Sequence, residues 1–315
     1  MKLTNDQIKS ITVGAVCCLE EEKGLLFTKY TPRQLAVWQE AAPELVDNVT
    51  ASTGIRLDFH TDSEFVIFRV SGGKKYELRI DGTLTHQFLP EGVQDEDSFR
   101  VQLGKPGEMK HLVFSLPSHI PPARVCGVTL ADGAKLQPHK FDRKLLFLGD
   151  SITQGWNSAF DTLSFAYQVS DELNADSVIH GIGGSFYEPA ALADLTWSGD
   201  TVVVALGTND YGRFDTLEEI AARAKTYLQT VKTRFAPEKF YVITPIWRQD
   251  WQTPKACGSF EQCRKTLRSV AQELGLQVID GWELVPHFPE FMADPVHPND
   301  LGFAQYAKNL LKYLC

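Results

Sequence analysis

The chain has 315 residues, 43% of them hydrophobic and 23% charged. That composition excludes a disordered, fibrous or disulfide-stapled protein and leaves room for two ordinary globular domains. A formal net charge of −9 opposes binding to nucleic acid or to an anionic membrane surface, so a small partner of little or no charge is expected.

In chain order, the opening MKLTNDQIKSITVGAVCCLEEEKG lacks the apolar core of a secretory leader, and the expected compartment is the cytoplasm. No stretch approaches the ~20 apolar residues of a membrane-spanning helix. One helix is expected near Thr31 to Val46, in TPRQLAVWQEAAPELV. Otherwise the first half reads as strands. In STGIRLDFHT, Ile55, Leu57 and Phe59 alternate with Arg56, Asp58 and His60, a period of two. EFVIFRVSGGKKYELRIDGTLTHQFL, RVQLG, KHLVFSLP and ARVCGVTLADGAKL continue the pattern, with Gly-Gly and Asp-Gly turns. Short strands at regular intervals predict an antiparallel, jelly-roll-like β-sandwich over residues 1–140.

The second half, 141–315, alternates strand and helix, with the boundary near LQPHKFDRK. Strands are expected at Lys144–Leu148, Ser177–Ile182, Thr201–Leu206, Phe240–Thr244 and Gln277–Ile279. Each is apolar almost throughout, as parallel strands covered on both faces are. Between them DTLEEIAARAKTYLQTVKTRF has one apolar stripe, from Leu217 through Ile220, Ala224, Leu228 and Val231 to Phe235, with Asp215 and Glu218 as a capping box. Ser259 and Gln262 open the next helix in the same way, and a last one follows Asn299. This is a βαβ series and predicts an α/β domain on a parallel sheet.

In such sheets chemistry collects at the carboxyl ends of the strands. Those ends carry Gly149-Asp150-Ser151, then HGIGGS, LGTND and TPIWRQDW, and ADPVHPND precedes the last helix. A serine alcohol needs a base to become a nucleophile, and the base needs an orienting carboxylate. Ser151, His297 and Asp294 supply all three, and Pro295 and Pro298 stiffen the loop between the last two. An oxyanion needs donors. The candidates are the Ser151 N–H, a glycine N–H of GIGGS (Gly184 ahead of Gly183) and the Asn209 amide. Trp156, Trp247 and Arg248 follow strand ends and are candidate substrate contacts, although a buried tryptophan or a salt-bridged arginine is an equally ordinary reading. Asp150, Asp210 and His180 are read as structural, and His287 as a surface residue.

The six cysteines, Cys17, Cys18, Cys126, Cys257, Cys263 and Cys315, form no CxxC pair or Cys/His spacing that signals zinc. Cys257 and Cys263 are near enough in the chain to pair, though a reducing compartment favours free thiols. No metal and no cofactor is expected.

GDSITQG, GIGG, GTND and DPVHPND occur in this order over 145–302. Together they resemble the four sequence blocks of the SGNH, or GDSL, hydrolase family. The resemblance implies a flavodoxin-like three-layer α/β/α fold and metal-free ester hydrolysis through an acyl-serine. Carried over, Ser151 is the nucleophile, His297 the base, Asp294 its orienting partner, and Ser151, Gly184 and Asn209 the oxyanion hole. The second block departs from the pattern, with His180-Gly181 near the place of the usual asparagine. A small sandwich ahead of such a domain is similar to the two-domain carbohydrate esterases, which implies an acetylated sugar or oligosaccharide as substrate. A lipid or general esterase, an acyltransferase, and a carbohydrate-binding protein with a vestigial site are the alternatives. Whether the sandwich binds glycan or only supports the fold stays open, as does the oligomeric state.

Overall fold

A computed structural model describes residues 1–90, 96–118 and 121–315. The chain divides into two compact units. The first holds Met1–Thr31 and Thr50–Phe141, the second Pro32–Val49 and Asp142–Cys315. A single cut near residue 140 therefore describes only the later boundary, because the segment 32–49 belongs with the C-terminal unit. That segment contains the expected helix, Pro32–Ala41, then the 3-10 turn Pro43–Leu45 and all but the last residue of a short helix, Val46–Thr50.

The first unit is built from two antiparallel sheets. In one, Thr12–Val13, Arg56–Thr61, Lys110–Ser115, Tyr76–Ile80 and Thr83–Phe88 lie side by side, with Leu136–Pro138 also paired to Arg56–Thr61. In the other the order is Cys17–Glu21, Gly24–Thr28, Arg124–Leu130, Phe65–Ser71 and Asp97–Gln102. The period-two pattern decides what faces inward. Leu57 and Phe59 from one sheet meet Val66, Phe68 and Val70 from the other in a single apolar core. Phe68 and Phe114 stack there with ring centroids 4.0 Å apart. A short helix, Asn5–Ser10, opens the unit with a Thr4/Gln7 capping box. Six residues are too few to show a helical period, so the sequence pattern alone does not mark it.

The second unit is a five-stranded parallel sheet. Its spatial order is Ala175–Gly181, Arg143–Gly149, Thr201–Ala205, Lys239–Ile243 and Gln277–Ile279. Numbered along the chain that is 2-1-3-4-5, the flavodoxin-like order, with its switch point beside the strand that leads into Ser151. Two helix pairs cover the sheet, Phe165–Glu172 with Asp300–Leu314 and Leu217–Phe235 with Phe260–Glu273. The helix Leu217–Phe235 buries Ile220, Ala224, Leu228, Val231 and Phe235, as its stripe predicts. Its cap sits one residue later than expected. Thr216, not Asp215, adopts the extended cap conformation, and its side chain accepts from the Glu219 N–H. Ser259 with Gln262 and Asn299 cap the next two helices where expected. All six cysteines are free thiols, so Cys257 and Cys263 are not bridged. Among the described residues no helix is long and apolar enough to cross a membrane.

Candidate active site

The strand Arg143–Gly149 ends by turning at once into a four-residue helix, Ser151–Gln154. Asp150 makes that turn possible. Its carboxylate caps the helix by accepting from the Ile152 N–H at 2.9 Å. It is wholly buried, and burial is the main cause that pushes its pKa up to about 7, with the nearby Asp210 adding to it. Gly149 is needed for a close approach, since a Cβ there would lie 2.0 Å from Thr153 Oγ1. Two groups then tie down the Gly149 carbonyl, the Ile182 N–H at 3.1 Å and the Ser185 hydroxyl at 3.0 Å. Ser151 is thereby fixed at the end of the strand next to the switch point.

The loop before the last helix brings the imidazole to it. His297 Nε2 lies 2.8 Å from Ser151 Oγ. On the other side of the ring, His297 Nδ1 lies 2.8 Å from Asp294 Oδ2. Asp294 Oδ1 accepts from the backbone N–H groups of Val296 and His297, each at 2.8 Å, and Asn157 Nδ2 donates to Oδ2 at 2.6 Å. Burial would raise the pKa of this carboxyl, but these N–H donors and the imidazole outweigh it, and the net shift is downward. The loop is braced by the Gln249 N–H donating to the Pro295 carbonyl at 2.7 Å and by the Ala293 N–H donating to the His297 carbonyl at 2.8 Å.

The candidate oxyanion donors line the same cleft as this hydroxyl. The Gly183 N–H is taken by Gln154 Oε1, to which it donates at 2.6 Å. Gly184 has φ +82°, a left-handed conformation that glycine tolerates best, and its N–H makes no hydrogen bond among the described residues. Asn209 Nδ2 donates to the Ser185 carbonyl at 2.8 Å, which fixes the amide and leaves its second hydrogen available. Ser151, Gly183, Gly184, Asn209 and His297 all line one cleft of about 640 Å³, together with Asn48, Trp156, Thr208 and Arg248. A poised hydroxyl–imidazole–carboxylate row beside free donors can carry out nucleophilic acyl transfer.

A family model of GDSL-like lipases and acylhydrolases matches residues 147–305, half of the chain. The chain belongs to the GDSL-like lipase/acylhydrolase family. It is therefore a carboxylic ester hydrolase. The sequence has no significant match among curated proteins. Solved structures similar to this GDSL-like hydrolase share its fold over nearly the whole chain. One is a salicylyl acyltransferase from a tetracycline biosynthetic pathway, with a TM-score of 0.80 at 19% identity over 96% of this chain and 93% of that one. Another is a family two carbohydrate esterase from Clostridium thermocellum in complex with cellohexaose, at 0.68 and 17% over 84% and 92%. A third is an acetyl xylan esterase from the rumen bacterium Butyrivibrio proteoclasticus, at 0.68 and 14% over 100% and 97%.

The other candidate positions divide. Trp156 lines the cleft with its ring centroid 6.3 Å from that of His297. Arg248 also lines it, but as a salt bridge with Asp250, Nε to Oδ1 at 2.5 Å and Nη2 to Oδ2 at 2.9 Å. Trp247 does not reach the cleft. It is buried in the core of the second unit and stacks on His287 at 5.7 Å, whereas the adjacent Arg248 lines the cleft. His287 stays exposed, as expected, but its Nε2 bonds the Trp282 carbonyl at 2.8 Å. His180 is buried beside Gln34, and Asp210 anchors the loop by accepting from the Tyr187 N–H at 3.0 Å.

Several residues of the site carried no expectation, among them Gln154, Asn157 and Asn48. Gln154 sets the glycine turn, Asn157 holds Asp294, and Asn48 Nδ2 donates to the Gly183 carbonyl at 3.1 Å. Gln154 lies within the GDSITQG block, where a polar side chain buried in a turn has to find a partner, whereas Asn157, just after the block, is exposed. Asn48 lies far from every motif, and nothing in its neighbourhood marks it.

Proposed function

We propose that this chain is a serine esterase that removes short acyl groups, acetyl above all, from carbohydrate through an acyl-serine intermediate. The observation that carries this reading is the unbroken row from Ser151 Oγ to His297 to Asp294 at 2.8 Å per step. His297 Nε2 takes the Ser151 proton as Oγ attacks the ester carbonyl. The N–H groups of Ser151 and Gly184 and the Asn209 amide hold the oxygen that gains charge. His297 then gives its proton to the departing alcohol, and water repeats the sequence on the acyl-serine to release the acid. Asp294 keeps the imidazole in the tautomer with hydrogen on Nδ1.

Support for a sugar as the alcohol is chemical. The cleft offers the hydrogen-bonding side chains of Asn48 and Thr208 and one face-forming aromatic ring, Trp156. Two neighbours of the same fold are named as a carbohydrate esterase and an acetyl xylan esterase. The first unit is read as an accessory to this activity. Release of acetate from a panel of acetylated mono- and oligosaccharides tests the proposal. Acetate release by the intact chain and none by Ser151→Ala is expected. Faster turnover of octanoyl than of acetyl esters, or no release from any acetylated sugar, counts against the carbohydrate reading. Because one neighbour is an acyltransferase, adding an alcohol acceptor to the same assay separates transfer from hydrolysis.

A further inference from the structure

Three of the chain's eight histidines gather at one spot of the first unit, outside the cleft. His60 lies on Arg56–Thr61, His111 on Lys110–Ser115, and His139 directly follows Leu136–Pro138. The register brings them together. His60 stands opposite His111, and Pro138 stands opposite Phe59 on the other side of the same strand. The His139 N–H continues that pairing by donating to the Asp58 carbonyl at 3.2 Å. Since Leu57 and Phe59 point into the sandwich core, the strand pleat turns Arg56, Asp58 and His60 to the opposite face.

The three rings are half-buried and stacked, with centroids 4.3 to 5.2 Å apart. His60 Nε2 lies 2.9 Å from His139 Nδ1, and one nitrogen from each ring lies within 4.8 Å of the other two. His111 Nε2 bonds Asp58 Oδ1 at 2.7 Å, and Asp58 Oδ2 accepts from Arg56 Nε at 3.0 Å. Three imidazoles thus gather their nitrogens in one small arrangement on the face of the sheet opposite the core. It suits a divalent cation that prefers nitrogen ligands.

We propose that His60, His111 and His139 bind a transition-metal dication, zinc foremost, with water at the remaining position. Asp58 supplies the carboxylate that commonly fixes the tautomer and raises the basicity of a ligating histidine. Zinc–nitrogen bonds of about 2.0–2.1 Å in a tetrahedron separate the nitrogens by about 3.3 Å. The 2.9 Å pair must open slightly and the widest pair must close. Both follow from rotation about the imidazole χ2, which is a broad torsion. The backbone register holds the three side chains in place, and ion binding turns the rings from stacked to convergent. Their wide separation in the chain explains why no sequence spacing marks them.

Titration of the full, untagged chain with zinc chloride in a calorimeter tests this. One equivalent is expected to bind saturably, and cobalt(II) in its place is expected to give the visible absorption of a four-coordinate nitrogen–oxygen site. The double variant His60→Gln, His139→Gln should lose that equivalent while keeping its circular dichroism and its hydrolysis of p-nitrophenyl acetate. If the double variant fails to fold, His139→Gln alone should weaken binding by at least about tenfold, and Asp58→Asn by about 10- to 100-fold. Absence of a saturable equivalent in the intact chain, or undiminished binding in the folded variants, overturns the proposal.

Discussion

Replacing Asp294 by asparagine isolates the role of the carboxylate. The native side chain accepts four hydrogen bonds, two at Oδ1 from backbone N–H groups and two at Oδ2 from His297 and Asn157. An asparagine keeps the Oδ1 pair if its carbonyl oxygen takes that position. Its NH₂ then occupies the place of Oδ2, facing the donors Asn157 Nδ2 and His297 Nδ1. The ring relieves the clash by moving its proton to Nε2, so that Nδ1 accepts. That tautomer points a hydrogen at Ser151 Oγ and cannot take the serine proton. A wrong-tautomer substitution of this kind lowers kcat by about 10⁴, which at about 1.36 kcal/mol per decade adds about 5.4 kcal/mol to the barrier. KM should move little, because Asp294 does not line the cleft. Steady-state hydrolysis of p-nitrophenyl acetate, with thermal melts to establish folding, measures both. A folded Asp294→Asn enzyme within tenfold of the native kcat refutes the tautomer argument.

Other outcomes follow from single contacts. Asn209→Ala removes one oxyanion donor and should lower kcat by about 10²–10³ with a smaller change in KM; a loss below threefold in the same assay removes Asn209 from the oxyanion hole. Gln154→Leu leaves the buried Gly183 N–H without its acceptor, at a cost of about 1–3 kcal/mol read as a lower urea midpoint, and an unchanged midpoint shows that Gln154 does not hold the turn. The Asp150 carboxyl, pushed up to about 7 by burial and by Asp210, holds its proton more tightly in the folded than in the unfolded chain. Its contribution is therefore greatest below the ordinary carboxylate pKa and is lost as pH rises through about 7. Asp150→Asn keeps the cap and removes that share, so Tm should fall less between pH 5 and pH 8 than in the native chain; superimposable curves contradict the assignment.

The parallel sheet was legible because its strands are buried on both faces and read as unbroken apolar runs, from Leu145–Leu148 to Val202–Val204. The proximity of Ser151, His297 and Asp294 was legible because Ser151 ends such a run and the other two share one short loop before the last helix. Trp247 and Arg248 show the limit. Two adjacent large residues in the irregular segment after the strand Lys239–Ile243 go one to the core and one to the cleft, and composition does not say which goes where. The alternation of Leu57 and Phe59 with Asp58 and His60 fixed faces within one strand, but strand neighbours in an antiparallel sandwich are set by distant pairings. The three histidines, and the attachment of 32–49 to the second unit, depend on such pairings and left no local trace.

The central claim is that the Ser151 hydroxyl is a nucleophile activated by His297. Intact-mass analysis after exposure to a p-nitrophenyl organophosphonate tests it most directly. The account predicts one phosphonyl adduct per chain, located at Ser151 by peptide mapping, absent in Ser151→Ala and formed far more slowly in His297→Ala. A chain that remains unmodified while folded, or is modified equally fast without the imidazole, contradicts it.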